Sequence, residues 1–203
     1  MLTADEALTR LREGNARFVS DAIRSEAHVD GLRRRAVAIS QEPFAVILGC
    51  SDSRVPSEII FDQGLGDLFV IRVAGNIVAP SQIGSVEFAV ERFGTRLVVV
   101  LGHSTCGAIR ATLEELGRPS EKQSPNLRSI VDRIRPSIEP LYQAGGHLPE
   151  EELIRLSVRA NITASVNQLR HGSAILEQLH LHDGLLVVGA EYSLATGCVE
   201  FLD

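Results

Sequence analysis

The chain has no tryptophan and only two tyrosines, which argues against aromatic stacking platforms. It also lacks any apolar run near the roughly 20 residues that a membrane span needs. Basic charge is scarce: the net charge is -6, and the only basic cluster is Arg33-Arg34-Arg35. That triplet reads as a solvated helix face, so nucleic acid is a poor candidate for the main partner. The opening MLTADEALTRL is acidic and amphipathic rather than basic then apolar. No secretory leader is visible there, and a cytoplasmic location is expected. Cysteine is sparse and odd in number, at three. A chain of 203 residues needs no disulfide framework, so metal binding is the better default for Cys50 and Cys106. What is present is ordinary: 44% hydrophobic and 23% charged residues, enough to bury one core as a single domain spanning 1–203.

The apolar runs carry the fold. Phe44 to Gly49, Leu68 to Val73, Leu97 to Leu101 and Leu185 to Ala190 are continuous and strand-length, as strands buried on both faces should be. Cys198 to Leu202 alternates like an edge strand, with Cys198 expected as a small packing residue. Residues 3–20 read as a helix with Thr3 and Glu6 at capping-box spacing, although Gly14 and Asn15 weaken its middle. Residues 21–31 read as loop and 32–40 as a short helix. Ser57 to Phe61 suggests one helical turn. Residues 82–93 form a helix burying Ile83, Val86, Phe88, Ala89, Val90 and Phe93. Further helices are expected over 106–116 (closed by Gly117 and Pro119), 126–143, 149–170 and 172–181, with a break at Ala144-Gly145-Gly146. Alternating strands and helices predict an α/β fold: a mostly parallel sheet of four strands plus a C-terminal edge strand, flanked by helices, with an N-terminal helical arm.

Two strand ends carry the chemistry. LVVVLGHSTCGA, Leu97 to Ala108, ends an apolar run at Gly102 and delivers His103 and then Cys106. Cys50 follows the run ending at Gly49 and opens Cys50-Ser51-Asp52-Ser53-Arg54. In open parallel sheets, ligands gather beyond the carboxyl ends of strands where strand order reverses. Cys50, His103 and Cys106 then make two thiolates and one imidazole, the ligand types zinc prefers, with a fourth tetrahedral position free. Asp52 and Arg54 are costly beside buried strand ends unless paired. Either Arg54 orients Asp52 as a proton acceptor at the metal, or Asp52 itself takes the fourth position and closes the site. Arg72, inside the second strand, needs a polar partner.

CSDSRV at Cys50–Val55 and GHSTCGA at Gly102–Ala108 resemble the two signature motifs of the β-class carbonic anhydrases. FDQGLGDLFVIRVAGN and SVEFAV between and after them resemble that family too. The resemblance implies a zinc enzyme, one ion per subunit, that hydrates carbon dioxide reversibly to bicarbonate and a proton. In it, zinc-bound hydroxide attacks CO2 in a small apolar pocket. Cys50, His103 and Cys106 match the zinc ligands, and Asp52 and Arg54 the catalytic dyad. Gly107 matches the residue whose backbone N–H meets substrate oxygen. Phe69, Phe88 and Ala74 match pocket-lining positions, and Gln41 a residue contributed by the neighbouring subunit. The resemblance also implies a homodimer or homotetramer, with residues 1–40 packing on a partner. The family's bicarbonate-inhibition site usually includes a Trp just before the first Cys. Ile47 stands there, so that site is expected to be absent in its usual form. His28, His147, His171, His180 and His182 are expected to be surface or packing residues rather than proton shuttles. Two other readings are a same-fold zinc hydrolase of another small CO2-like molecule, and a non-catalytic protein with four zinc ligands.

Overall fold

The computed structural model describes residues 2–23, 30–117, 124–145 and 148–202. His28, Pro119, Gly146, His147 and most of the expected 21–31 loop lie outside the described residues.

Four parallel strands, β1 (Ala45–Gly49), β2 (Leu68–Arg72), β3 (Leu97–His103) and β4 (Leu186–Tyr192), are joined by an antiparallel edge strand, β5 (Val199–Leu202). The order is β2-β1-β3-β4-β5. The chain leaves β1 toward one edge and returns to β3 on its other side, so the switch point lies between β1 and β3. The apolar runs form central strands because both faces are covered. Val46, Leu48, Val98, Val100 and Val187 face one core. Ala45, Ile47, Leu97, Val99, Leu101 and Ala190 face the other. This is the period-2 alternation of a pleated strand.

The first core is closed by α4 (Pro80–Phe93), α5 (Gly107–Gly117), α6 (Pro125–Ala144), α7 (Glu150–His171) and α8 (Ala174–His182). The second is closed by α1 (Ala4–Val19) and α3 (Ser57–Ile60). The Thr3 side chain accepts from the Glu6 N–H while Glu6 reaches back to Thr3, completing the expected capping box. Gly14 and Asn15 do not interrupt α1, because both are buried in its packed face. Asn15 Nδ2 donates to the carbonyls of Ile60 and Gly197, and its Oδ1 accepts from the Val199 N–H at 2.8 Å. Tertiary hydrogen bonds here outweigh weak helix propensity. The inner face of α1 is thus spent on its own chain. By contrast, α2 (Gly31–Ala36) buries nothing, and Ile39 just beyond it is 97% exposed.

Several boundaries differ from expectation. β3 continues through Gly102 and His103, because its ladder with β4 runs on to His103 opposite Tyr192. β4 likewise runs past the expected Ala190 to Tyr192. α4 begins two residues early at Pro80, a residue pre-set for the first helical turn. α2 stops at Ala36, short of the expected residue 40. Phe88, expected on the buried side of α4, is 52% exposed, since the helical stripe of apolar residues is wider than the face its own chain covers. Cys198 is exposed rather than packed, because it lies in the turn just before β5. Arg72 is the exposed last residue of β2, not an interior one.

Candidate metal centre

The residues of interest sit where the switch point opens. Cys50 is the first residue after β1, His103 the last of β3, and Cys106 immediately precedes α5. Gly49 pairs with Leu101, so the ends of β1 and β3 are neighbours. Cys50, His103 and Cys106 are all buried, and one ligand atom from each lies within 4.8 Å of the other two. Thr105, between His103 and Cys106, takes a positive φ of 53°, the tight bend that returns Cys106 toward the strand end.

His103 is oriented by its neighbour. Its Nδ1 lies 3.0 Å from the Ser104 carbonyl, which can only accept, so Nδ1 carries the proton and Nε2 keeps its lone pair. Nε2 is fully buried and has no hydrogen-bond partner among the described residues. A buried polar atom left so costs on the order of 1–3 kcal/mol. The sulfurs tell the same story. A hydrogen bond from Cys106 holds the Cys50 thiol well below the ordinary thiol range against the cost of burial, with help from the Asp52 and Gly75 N–H groups. That same bond and burial push Cys106 up. A divalent cation beside these two adjacent buried sulfurs would let both be thiolates. An orphaned imidazole nitrogen and two adjacent buried thiols in this donor set fit zinc.

Asp52 and Arg54 form the rim. Arg54 Nε donates to Asp52 Oδ1 at 2.9 Å and Nη2 to Oδ2 at 2.8 Å, and the Arg54 N–H reaches Oδ1 at 3.0 Å. This bidentate grip, above all the Arg54 side-chain bond, holds the Asp52 carboxyl well below the usual carboxylate range. Asp52 Oδ2 also lies 3.9 Å from His103 Nε2. Asp52 is therefore turned to Arg54 at the edge of the cluster, outside the set of three. Arg72 finds the partners it needed: Nε donates to the Cys50 carbonyl at 3.0 Å and Nη2 to the Asp52 carbonyl at 2.6 Å. It fixes the backbone on which both residues stand.

The other expected residues divide. Gly107 opens α5, and a side chain built there would meet nothing within 4 Å among the described residues. Ala74 begins a 3-10 turn, Ala74–Asn76, directly after β2 and Val73. Phe69 of β2 stacks with Phe88 and Phe93 of α4 at 6.1 Å each, and Phe88 meets Phe93 edge-on at 5.7 Å. Gln41 is not brought to the cluster within one chain. It precedes β1 while Cys50 follows it, and five strand residues span roughly 16 Å at about 3.3 Å each. Gln41 instead lines a cavity of about 530 Å³ with Arg10, Phe44 and Phe93. Of the described histidines outside the cluster, His171 pairs with Glu177 and His180 with the Leu185 carbonyl. One contact escaped the sequence: the Gly75 N–H donates to Cys50 Sγ at 3.3 Å. The Gly75-Asn76 break after β2 was visible, but nothing in the sequence tied it to that sulfur.

Comparison with known proteins gives a consistent result. A family model described as carbonic anhydrase matches residues 45–199. A carbonic anhydrase of Mycolicibacterium smegmatis is 41% identical over 191 residues, covering 94% of this chain and 89% of that protein. Carbonic anhydrase 2 of Mycobacterium tuberculosis is 38% identical over 188 residues, covering 92% and 87%. Among solved structures, the β-carbonic anhydrase CcaA superposes with a TM-score of 0.76 at 28% identity, covering 97% of this chain and 87% of that one. A Coccomyxa β-carbonic anhydrase in complex with acetazolamide gives 0.74 at 26%, covering 96% and 86%.

Proposed function

The chain belongs to the β-class carbonic anhydrases, and on that premise we propose how its own residues carry out the reversible hydration of carbon dioxide to bicarbonate and a proton. The observation that carries the reading is the buried convergence of Cys50, His103 and Cys106 within 4.8 Å, beside a carboxylate paired to arginine. These three residues would hold one zinc ion per subunit. The chemistry such an ion supplies is activation of water, whose pKa it lowers from 15.7 to about 7.

The protein's own groups do the rest. Asp52, kept ionised by Arg54, has only acceptor atoms to offer. It accepts the hydrogen of the attacking oxygen and so aims a lone pair at the substrate. Arg54 is its positioning partner, since both Asp52 oxygens are gripped by the one guanidinium. Phe69, Phe88 and Ala74 form the apolar wall against which carbon dioxide lies, and the Gly107 N–H receives a substrate oxygen. Gln41 reaches the site only from a neighbouring subunit, and the protein works as a homo-oligomer. Half-exposed Phe88, together with Leu32 and Ile39 at 70% and 97% exposure, supplies apolar surface for that contact. Residues 31–39 then form the part of the N-terminal arm that meets the partner. No described helix is long and apolar enough to cross a membrane. We assign the protein to the cytoplasm, where the Cys50 and Cys106 thiols stay reduced and available to metal.

The test is zinc content per subunit together with stopped-flow hydration of carbon dioxide. One zinc per chain and hydration that rises toward alkaline pH are expected. Full zinc occupancy with no hydration at alkaline pH would overturn the reading in favour of a different small linear substrate.

A further inference from the structure

Two buried polar groups outside the proposed machinery converge on one turn. α7 lies unusually close to the sheet: a side chain built at Gly102 of β3 would sit 2.5 Å from Ile162 Cδ1, and one at Gly189 of β4 only 2.6 Å from Ile162 Cγ2. The two glycines thus seat Ile162 against the sheet. The residues flanking it in the helix then reach the turn after β2. Asn161 Nδ2 donates to the Gly75 carbonyl at 2.8 Å, and Ser165 Oγ donates to the Asn76 carbonyl at 3.1 Å. Asn161 and Ser165 are 3% and 4% exposed, so neither bond is shared with solvent. The turn they hold is unusual in itself. Gly75 and Asn76 both have positive φ, 70° and 42°. A Gly75 side chain would collide with Ile134 at 2.8 Å and Ala108 at 3.0 Å. That conformation aims the Gly75 N–H at Cys50 Sγ.

We propose that Asn161 and Ser165 are positioning residues of the metal centre: from α7 they clamp the Ala74–Asn76 turn so that the Gly75 N–H is donated to the Cys50 sulfur. The inference rests on the metal-centre reading above. An N–H bond to a thiolate draws charge from sulfur and fixes the direction of its remaining lone pairs, so that the sulfur stays aimed at the cation. Groups of this kind around metal sites typically matter by about 10- to 100-fold in affinity.

Cobalt(II) is a suitable probe, because thiolate-to-cobalt charge transfer reports on sulfur directly. Asn161→Ala and the milder Ser165→Ala should weaken cobalt affinity, by roughly 10-fold or more for Asn161→Ala. They should also move the charge-transfer band to longer wavelength, since a thiolate without its N–H donor gives up charge more easily. Ser165→Thr keeps the hydroxyl and should restore both. Val158→Ala removes core volume from the same helix one turn away and should lower thermal stability with affinity and band unchanged. Wild-type affinity and spectrum in both Asn161→Ala and Ser165→Ala would overturn the proposal, as would equal shifts in Val158→Ala. If Cys50→Ser alone leaves the cobalt spectrum unchanged, the metal-centre reading itself fails, and this inference with it.

Discussion

The two halves of the site are built on different terms. His103 and Cys106 are 0% and 1% exposed, one fixed in a strand ladder and the other at a helix start. Asp52 and Arg54 stand at the rim, with side chains 18% and 57% exposed, joined chiefly to each other. The buried half cannot move without breaking β3 or α5. The rim half can change partner by a side-chain rotation. On the proposed reading, such a division would separate holding the ion, which needs rigidity, from working on it, which needs one carboxylate in the right state.

The strongest way to break that distinction is to remove one member from each half. His103→Ala and Cys106→Ser should lose bound zinc and all measurable hydration, as metal analysis and stopped-flow assays would record. Arg54→Ala should retain zinc while hydration falls by about 10²-fold or more, the usual scale of a misplaced proton acceptor. In that variant Asp52 is also free to turn toward the metal, so cobalt-substituted protein should show a changed coordination spectrum. Arg54→Lys should rescue little, because an ammonium cannot grip both carboxylate oxygens. If Arg54→Ala loses zinc as readily as His103→Ala, the two halves are one structural unit and the comparison fails. A smaller effect is expected at the apolar wall. Phe88→Ala should raise KM by roughly tenfold or less, the scale of a lost hydrophobic contact. Unchanged kinetics in a variant of unchanged oligomeric state would remove Phe88 from the wall.

Most of the buried half was legible in the sequence, and much of the rim was not. Continuous apolar runs announce central strands, and a strand order that reverses beside β1 brings Cys50 to His103 and Cys106. Asp52 and Arg54 were recognisable as a pair, but paired and metal-bound states of Asp52 differ by a side-chain rotation that no pattern encodes. Phe88 was misplaced because helical periodicity counts apolar residues without knowing whether its own chain covers them. β3 was cut short because Gly102 ends the apolar run, although backbone pairing with β4 continues regardless of side chain. Asn161 and Ser165 were invisible for another reason. In a helical stripe they look like polar interruptions, and their partners lie 86 and 89 residues away in the chain.

Acid should separate the halves in the order opposite to their burial. The Arg54 bonds hold the Asp52 carboxyl below its ordinary value of 3.8. For a carboxylate whose folded value is depressed, the stabilising contribution is fully present above the unfolded value and is lost only as pH falls through the lower, folded one. The Asp52–Arg54 pair should therefore survive intact from neutral pH to about pH 4. A bound cation nearby favours the ionised carboxylate and works in the same direction. The thiolates and imidazole of the buried half behave otherwise, since protons compete with metal for the same lone pairs. Zinc should leave as pH falls from 7 toward 4 while the carboxyl signal of Asp52, followed by carbon NMR, stays that of an ionised group. Protonation of Asp52 before zinc release would show that the rim, not the buried set, is the acid-sensitive half.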